Sequence, residues 1–450
     1  MAAGSDRGID TPGSPTGGMD DLLVAGGRVL RPSGTVERAD VLVDRDAGTV
    51  AAVDDPGTLS AGEILDAEGG LVIPGLVNAH THVAMTLFRG AADDKPLDAW
   101  LQEDIWPVEA ELRAEDVAAG ARLGIAEMVR SGTTAFGDMY FFMPEVAEVV
   151  AETGVRARLG HGCISVGRPE EEAREDFEEG IEFARKYDGH AGGRVQTMFT
   201  PHSLTTVDEA HFEDYLPRAR EADVPVHFHA NETTDEVDPI LDERGKRPLA
   251  WADDLGLLAE DSFIAHGVHV DGSEMALLAD RGTAVVHCPA SNMKLASGMA
   301  PVQALLDADV TVGLGTDGAA SNNDLDMFDE MRDAAMLGKL AADDPSAVAA
   351  ETAVELATEG SARALGFDSG RIEPGANADL AVVNLDAPHL TPHHDLVSHL
   401  AYAARGSDVR HTVCDGEVLL RDRELTTIDL AAAQEAAEQQ ARALFERAGE

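Results

Sequence analysis

Cysteine is scarce. The chain has three, Cys163, Cys288 and Cys414, with no Cys-x-x-Cys pair. That argues against a disulfide framework or a thiolate zinc site and fits a reducing, cytoplasmic compartment. Lysine is scarcer for the length: Lys95, Lys186, Lys246, Lys294 and Lys339 are the only ones in 450 residues. Lysine and arginine together number 34 against 83 aspartates and glutamates, a net charge of −49. Such a polyanion repels phosphate backbones, which excludes nucleic-acid binding by charge neutralisation. No run of ~18 apolar residues occurs, so no membrane span is expected. The first residues lack the basic, apolar and small-residue order of a secretory signal. Aromatics are only 4%, yet the apolar share is 44%, enough for a packed core.

The acid excess is spread along the chain rather than gathered in a tail. This composition suits a salt-accumulating halophile. At molar salt the Debye length is about 3 Å, so self-repulsion is screened and an acidic surface stays soluble. The fold is expected to weaken at low salt.

Residues 1–18, rich in Gly, Pro, Ser and Asp, read as a loose tail. Short β-like runs follow at Asp21–Val29, Ala39–Val43, Val50–Val53 and Gly70–Ile73. Similar runs return at Leu380–Leu385, Val409–Cys414 and Glu417–Leu420, the last two joined by an Asp415-Gly416 turn. Neither group makes a good sheet alone, so the two ends are expected to pair. Between them, strands and helices alternate. Helical stretches are Ala114–Ser131, Glu170–Tyr187, Asp208–Ala222 and Asp326–Ala342. Buried-type strands are Thr134–Asp138, Arg156–Gly160, Val195–Thr200, Val226–Ala230, Ser262–Ala265, Ala284–His287 and Thr311–Leu314. This rhythm predicts an α/β fold, either a (β/α)8 TIM-type barrel or a doubly wound sheet. Leu430–Arg447 reads as a C-terminal helix.

Imidazoles and acids stand at the ends of these strands. Pro74-Gly75-Leu76-Val77-Asn78-Ala79-His80-Thr81-His82 places two histidines two residues apart, on one side of a strand. Val226-His227-Phe228-His229-Ala230-Asn231-Glu232 adds histidines and a glutamate. Phe263-Ile264-Ala265-His266 ends in His, and Val312-Gly313-Leu314-Gly315-Thr316-Asp317 ends in Asp. In a barrel the C-terminal strand ends converge on one mouth. Four strands delivering His, His, His and Asp there point to a metal site.

With those residues in view, the chain resembles the amidohydrolase superfamily, and more narrowly its 5′-methylthioadenosine/S-adenosylhomocysteine deaminase group. The likeness spans roughly residues 20–425 through PGLVNAHTH, HFHANE, AHGVH, HCPASNMKL and GLGTDGAASNN. It implies a barrel over 74–369 and a β-sandwich built from 19–73 with 370–425, followed by the helix at 426–450. It implies His80, His82, His229 and Asp317 as metal ligands and leaves His227 a structural role. Binuclear relatives use a lysine on the fourth strand; Arg194–Thr200 has none, so one divalent ion is expected. Zn²⁺ is the first choice for such ligands, with Fe²⁺ or another ion as the alternative.

The resemblance further implies hydrolytic deamination of the adenine of 5′-modified adenosines: 5′-methylthioadenosine, S-adenosylhomocysteine, 5′-deoxyadenosine or adenosine. The metal lowers the pKa of water towards ~7, Asp317 accepts its proton, Glu232 shuttles protons, and His266 steadies the attacking oxygen. Trp100 and Glu109, 20 and 29 positions beyond His80, match an aromatic wall and a ribose-binding acid. His202, 27 before His229, is expected at the ribose or purine N3 side, and Ser321 is a further contact candidate. Arg168 and Arg174 are both near the position of an arginine that meets the substrate carboxylate in relatives, neither in clean register. His287, Asn292, Met293 and Lys294 read as scaffold. The partner is then a small nucleoside, with no nucleic acid and no membrane, in a homo-oligomer. The alternatives are another reaction of the superfamily, such as guanine or cytosine deamination or s-triazine dechlorination, or a non-catalytic metal-binding protein.

Overall fold

The computed structural model describes residues 17–449. All but two residues of the expected tail lie outside that span. Eight short strands run through the middle of the chain: β1 Leu76–Thr81, β2 Thr133–Tyr140, β3 Arg156–Cys163, β4 Val195–Thr197, β5 His227–Ala230, β6 Phe263–His266, β7 Ala284–His287 and β8 Val312–Leu314. β1 to β4 form one parallel sheet and β5 to β8 another, each in sequential order. Apart from Gln196, every residue in these strands is buried. That is why they read as near-continuous apolar runs rather than alternating ones.

The two sheets touch at both ends. Phe199 and Ser203, beyond β4, pair in parallel with Val226 and His229 at β5. Past β8, the Asp317 amide donates to the carbonyl of His80 on β1, 3.0 Å away. Gly315 makes this approach feasible, since a Cβ there would sit 2.8 Å from the His80 backbone nitrogen. The fourth strand departs from the uninterrupted run Val195–Thr200. It breaks after Thr197 and resumes at Thr200–Pro201, with Phe199 between them paired to Val226 beside β5.

Helices lie between the strands. In Glu170–Tyr187, the apolar positions Ala173, Phe177, Ile181 and Ala184 form the buried stripe. Glu170 to Glu172 open that helix and Arg185 and Lys186 close it, the arrangement its dipole favours. Ala114–Arg130 buries Val117, Ala121, Ile125 and Met128 in the same way. Among the described residues no helix is long and apolar enough to cross a membrane.

The two chain ends share a seven-stranded sheet. Its order is Glu424–Leu425, Glu417–Arg421, Val409–Cys414, Leu380–Asn384, Gly70–Pro74, Arg28–Leu30 and Val36–Arg38. The junction pairs Val382 with Val72, antiparallel. Asp415 and Gly416, both at positive φ, make the expected hairpin turn. A four-stranded sheet of N-terminal residues lies against this one: Val24, Val41, Val43 and Leu65 share an apolar cluster with Val72, Leu380, Val382 and Val413. The expected single strand Asp21–Val29 is in fact two, Leu22–Ala25 and Arg28–Leu30, in different sheets. The chain crosses between sheets at Gly26-Gly27, with Gly26 at φ +83°.

A buried ion cluster ties β3 to this region. Arg156 donates to Asp379 at 3.2 Å and to Asp415 at 3.1 Å, and Ser369 donates to Asp379 at 2.6 Å. Removing either partner of the buried Arg156–Asp379 pair would strand a charge in the interior.

Candidate metal centre

His80 and His82 leave the end of β1 on one side, as the two-residue strand repeat dictates. His229 comes from β5, and the ligand nitrogens of all three lie within 4.8 Å of one another. Asp317 Oδ1 stands 3.5 Å from His80 Nε2 and 3.3 Å from His82 Nε2. His80, His229 and Asp317 are buried and His82 nearly so.

The outer hydrogen bonds fix which ring nitrogen faces inward. His82 Nδ1 donates to the Met139 carbonyl, and His229 Nδ1 to the His202 carbonyl. His227 Nδ1 donates to the Phe263 carbonyl, which leaves its Nε2 an acceptor for His80 Nδ1. Each of the three rings therefore presents a bare Nε2 to the centre. His80 Nε2 is buried without a hydrogen-bond partner. An orphaned imidazole lone pair beside two others and a carboxylate fits a divalent cation, and three nitrogens with one oxygen suit zinc.

Asp317 is held on every side. Its Oδ2 accepts from Ser291 at 2.7 Å and Ser321 at 2.9 Å, and its Oδ1 from the Gly318 amide at 2.8 Å. Ser321, the further contact candidate, stands 2.9 Å from Asp317 Oδ2 and 3.1 Å from the Gly318 carbonyl.

Beside the cluster, Glu232 Oε2 lies 3.6 Å from His266 Nε2, and Glu232 Oε1 accepts from Ser297 at 3.1 Å. Burial pushes the Glu232 carboxyl up, so it keeps its proton to a higher pH than an exposed glutamate. His266 Nδ1 donates to Asn292 Oδ1 at 3.0 Å, which turns Nε2 toward the site. Asn231, His266 and Asp317, at the ends of β5, β6 and β8, all have positive φ. Such backbone strain at non-glycine residues gathers at functional sites.

His202 lies with its ring 4.6 Å from that of His229 and bonds Thr206 through Nδ1. Burial, then the neighbouring His82 and His80, pushes it down to about 3, so it stays neutral. Glu109 accepts a hydrogen bond from Tyr140. Trp100 is buried, its indole N–H on the Ala92 carbonyl.

The two arginines part company. Arg174 is more than half exposed and pairs with Glu170, with Asp214 close by. Arg168 pairs with Asp176, whose other oxygen meets His161 at the end of β3.

Sequence reasoning missed Ser291, Ser297 and Tyr140. Ser291 and Ser297 were within reach as hydroxyls flanking Asn292–Lys294 just past β7; nothing in the sequence singles out Tyr140.

The Amidohydrolase family profile matches residues 71–419, most of the chain. This chain belongs to the amidohydrolase family. It is 68% identical over 432 residues to the 5-methylthioadenosine/S-adenosylhomocysteine deaminase of Haloarcula marismortui, covering 96% of this chain and all of that one. It is 42% identical over 428 residues to the 5′-deoxyadenosine deaminase of Methanosarcina mazei, covering 94% and 98%. Among solved structures, an adenosine deaminase from Xanthomonas campestris with bound zinc superposes with a TM-score of 0.89 at 40% identity, covering 96% and 100%.

Proposed function

We propose that this enzyme hydrolytically deaminates the adenine of 5′-modified adenosines, giving the inosine analogue and ammonia. 5′-Methylthioadenosine, S-adenosylhomocysteine, 5′-deoxyadenosine and adenosine are the substrate set, in keeping with the names of its relatives. One observation carries the mechanism: a buried acid, Glu232, stands beside His266 at the edge of a cluster of three bare imidazole nitrogens and Asp317.

One divalent ion per subunit, Zn²⁺ by preference, would be held by His80, His82, His229 and Asp317. When bound it supplies a Lewis acid that makes hydroxide available near neutral pH. Asp317 takes the proton that water gives up. Glu232, protonated, donates to purine N1 as the water oxygen bonds to C6. The amino nitrogen takes the proton held by Asp317, the C6–N bond breaks as the C6 hydroxyl returns a proton to Glu232, and ammonia leaves. This is the acid/base division in which a non-ligand glutamate moves protons. His266 Nε2 steadies the attacking oxygen. His202 and Glu109 receive the sugar side, Glu109 as a carboxylate with acceptors only. Trp100 walls the pocket. Of the two candidate arginines, the surface pairing of Arg174 with Glu170 favours Arg168 as the one that meets a substrate carboxylate.

The two parallel sheets, linked at both edges, support a closed eight-stranded barrel over 74–369. The shared apolar cluster of the chain ends supports a β-sandwich of 19–73 with 370–425. We assign the enzyme to the cytoplasm as a homo-oligomer.

Loss of adenine absorbance in the ultraviolet, measured with metal-loaded protein on each nucleoside, tests the proposal. Turnover is expected on at least one 5′-modified adenosine. Turnover of guanine or an s-triazine with none of the nucleosides would replace this reading.

A further inference from the structure

Glu109 lies on a short helix, Trp106–Glu109, in the long connection after β1. Tyr140 is the last residue of β2, buried, with its ring 5.9 Å from that of His82. Its hydroxyl donates to Glu109 Oε1 at 2.7 Å. Among the described residues this is the only side-chain hydrogen bond Glu109 makes, and Oε2 has no protein partner. Burial, then Glu109 itself, drives the phenol far above its ordinary pKa, so it stays a donor. A carboxylate on a loop is therefore pinned through one oxygen by a side chain on a strand end, and the other oxygen is left to accept. Sites carried on strands are more precisely placed than sites on loops.

From this geometry we infer that Tyr140 is a positioning residue that aims Glu109 Oε2 at the vicinal hydroxyls of the ribose. The pair thereby selects ribonucleosides over sugars lacking the diol. The inference rests on the deaminase reading and adds to it the part of the substrate this pair reads. The hydroxyl bonds Glu109 alone among the described side chains, so on this reading its effect falls on binding of the sugar.

The test is steady-state kinetics of metal-loaded wild type, Tyr140→Phe, Glu109→Gln and the double variant on adenosine and 2′,3′-dideoxyadenosine. Metal content is measured alongside. Phenylalanine keeps the ring and its packing and removes only the hydroxyl. Tyr140→Phe is expected to raise KM for adenosine about tenfold with kcat within about twofold, and to leave dideoxyadenosine unaffected. The double variant is expected to be no worse than Glu109→Gln alone, because the two residues act as one unit. Equal losses on both nucleosides, or none on either, would overturn the role of Tyr140 while leaving the deaminase reading intact. Wild-type protein that turns over neither these nor any other adenine nucleoside would overturn both.

Discussion

His80 Nδ1 lies 2.9 Å from His227 Nε2, and His227 in turn donates from Nδ1 to the backbone of Phe263. A chain of two imidazoles ending on a carbonyl thus decides which nitrogen of His80 is bare. The His227 ring also stacks on Phe263, with centroids 4.1 Å apart.

His227→Phe keeps that stacking and removes the acceptor. Metal affinity should fall by about 10- to 100-fold, the usual effect of losing an outer-sphere partner. Zinc titration against a competing chelator checks this. The variant should unfold at nearly the wild-type temperature when both are metal-free. Unchanged affinity would mean that another group orients His80.

Glu232→Gln should keep the metal and lose about 10²–10⁴-fold in turnover, the range for removal of a positioned acid/base group. Because burial raises the Glu232 pKa, the acid form persists to higher pH than in an exposed glutamate. Activity that depends on it must fall as pH rises through that pKa. The alkaline limb of the wild-type kcat/KM profile should therefore be missing from the residual activity of the glutamine variant.

Glu236 offers a stability test. Its Oε2 accepts from the Glu232 amide at 3.0 Å, and its Oε1 is buried with no partner. Burial pushes it up from 4.5 to about 7. A raised folded-state pKa stabilises below the unfolded value, and that contribution is lost as pH rises through about 7. Glu236→Gln mimics the protonated form. It should match wild type near pH 4.5 and exceed it at pH 8 by on the order of 3 kcal/mol, at about 1.4 kcal/mol per pKa unit. Denaturant unfolding at the two pH values, in constant high salt, decides it.

The net charge of −49 predicts salt dependence. Lowering salt from about 1 M to 0.1 M lengthens the Debye length from about 3 to about 10 Å, so carboxylates across the surface begin to repel. The melting temperature should drop steadily over that range and recover on adding salt back. A flat profile would show that the acid excess is neutral to stability.

The meeting of His80, His82, His229 and Asp317 was legible because each is a polar residue ending an apolar run, and parallel strand ends converge. The exposure of Arg174 follows from its place one residue past Ala173, off the buried stripe of Ala173, Phe177, Ile181 and Ala184, although the sequence offered it only as a candidate for a substrate carboxylate. That Ser291 and Ser321 bond Asp317 was not legible. Ser291 is 26 residues from Asp317, and a hydroxyl has no pattern of its own until two loops meet. The Glu109–Tyr140 pair was half legible for the same reason, since the acid carried a motif offset and the phenol none. The break in the fourth strand was hidden because Met198-Phe199 is as apolar as a continuous strand would be.

Gly70–Pro74, which leads directly into β1, is flanked on one side by Leu380–Asn384. On a ribosome, this means that the mount for His80 and His82 stays half built until some 300 further residues have emerged. Contacts of such long range make folding slow. A chain cut short before residue 380 should lose its grip on the ion although every ligand is still present.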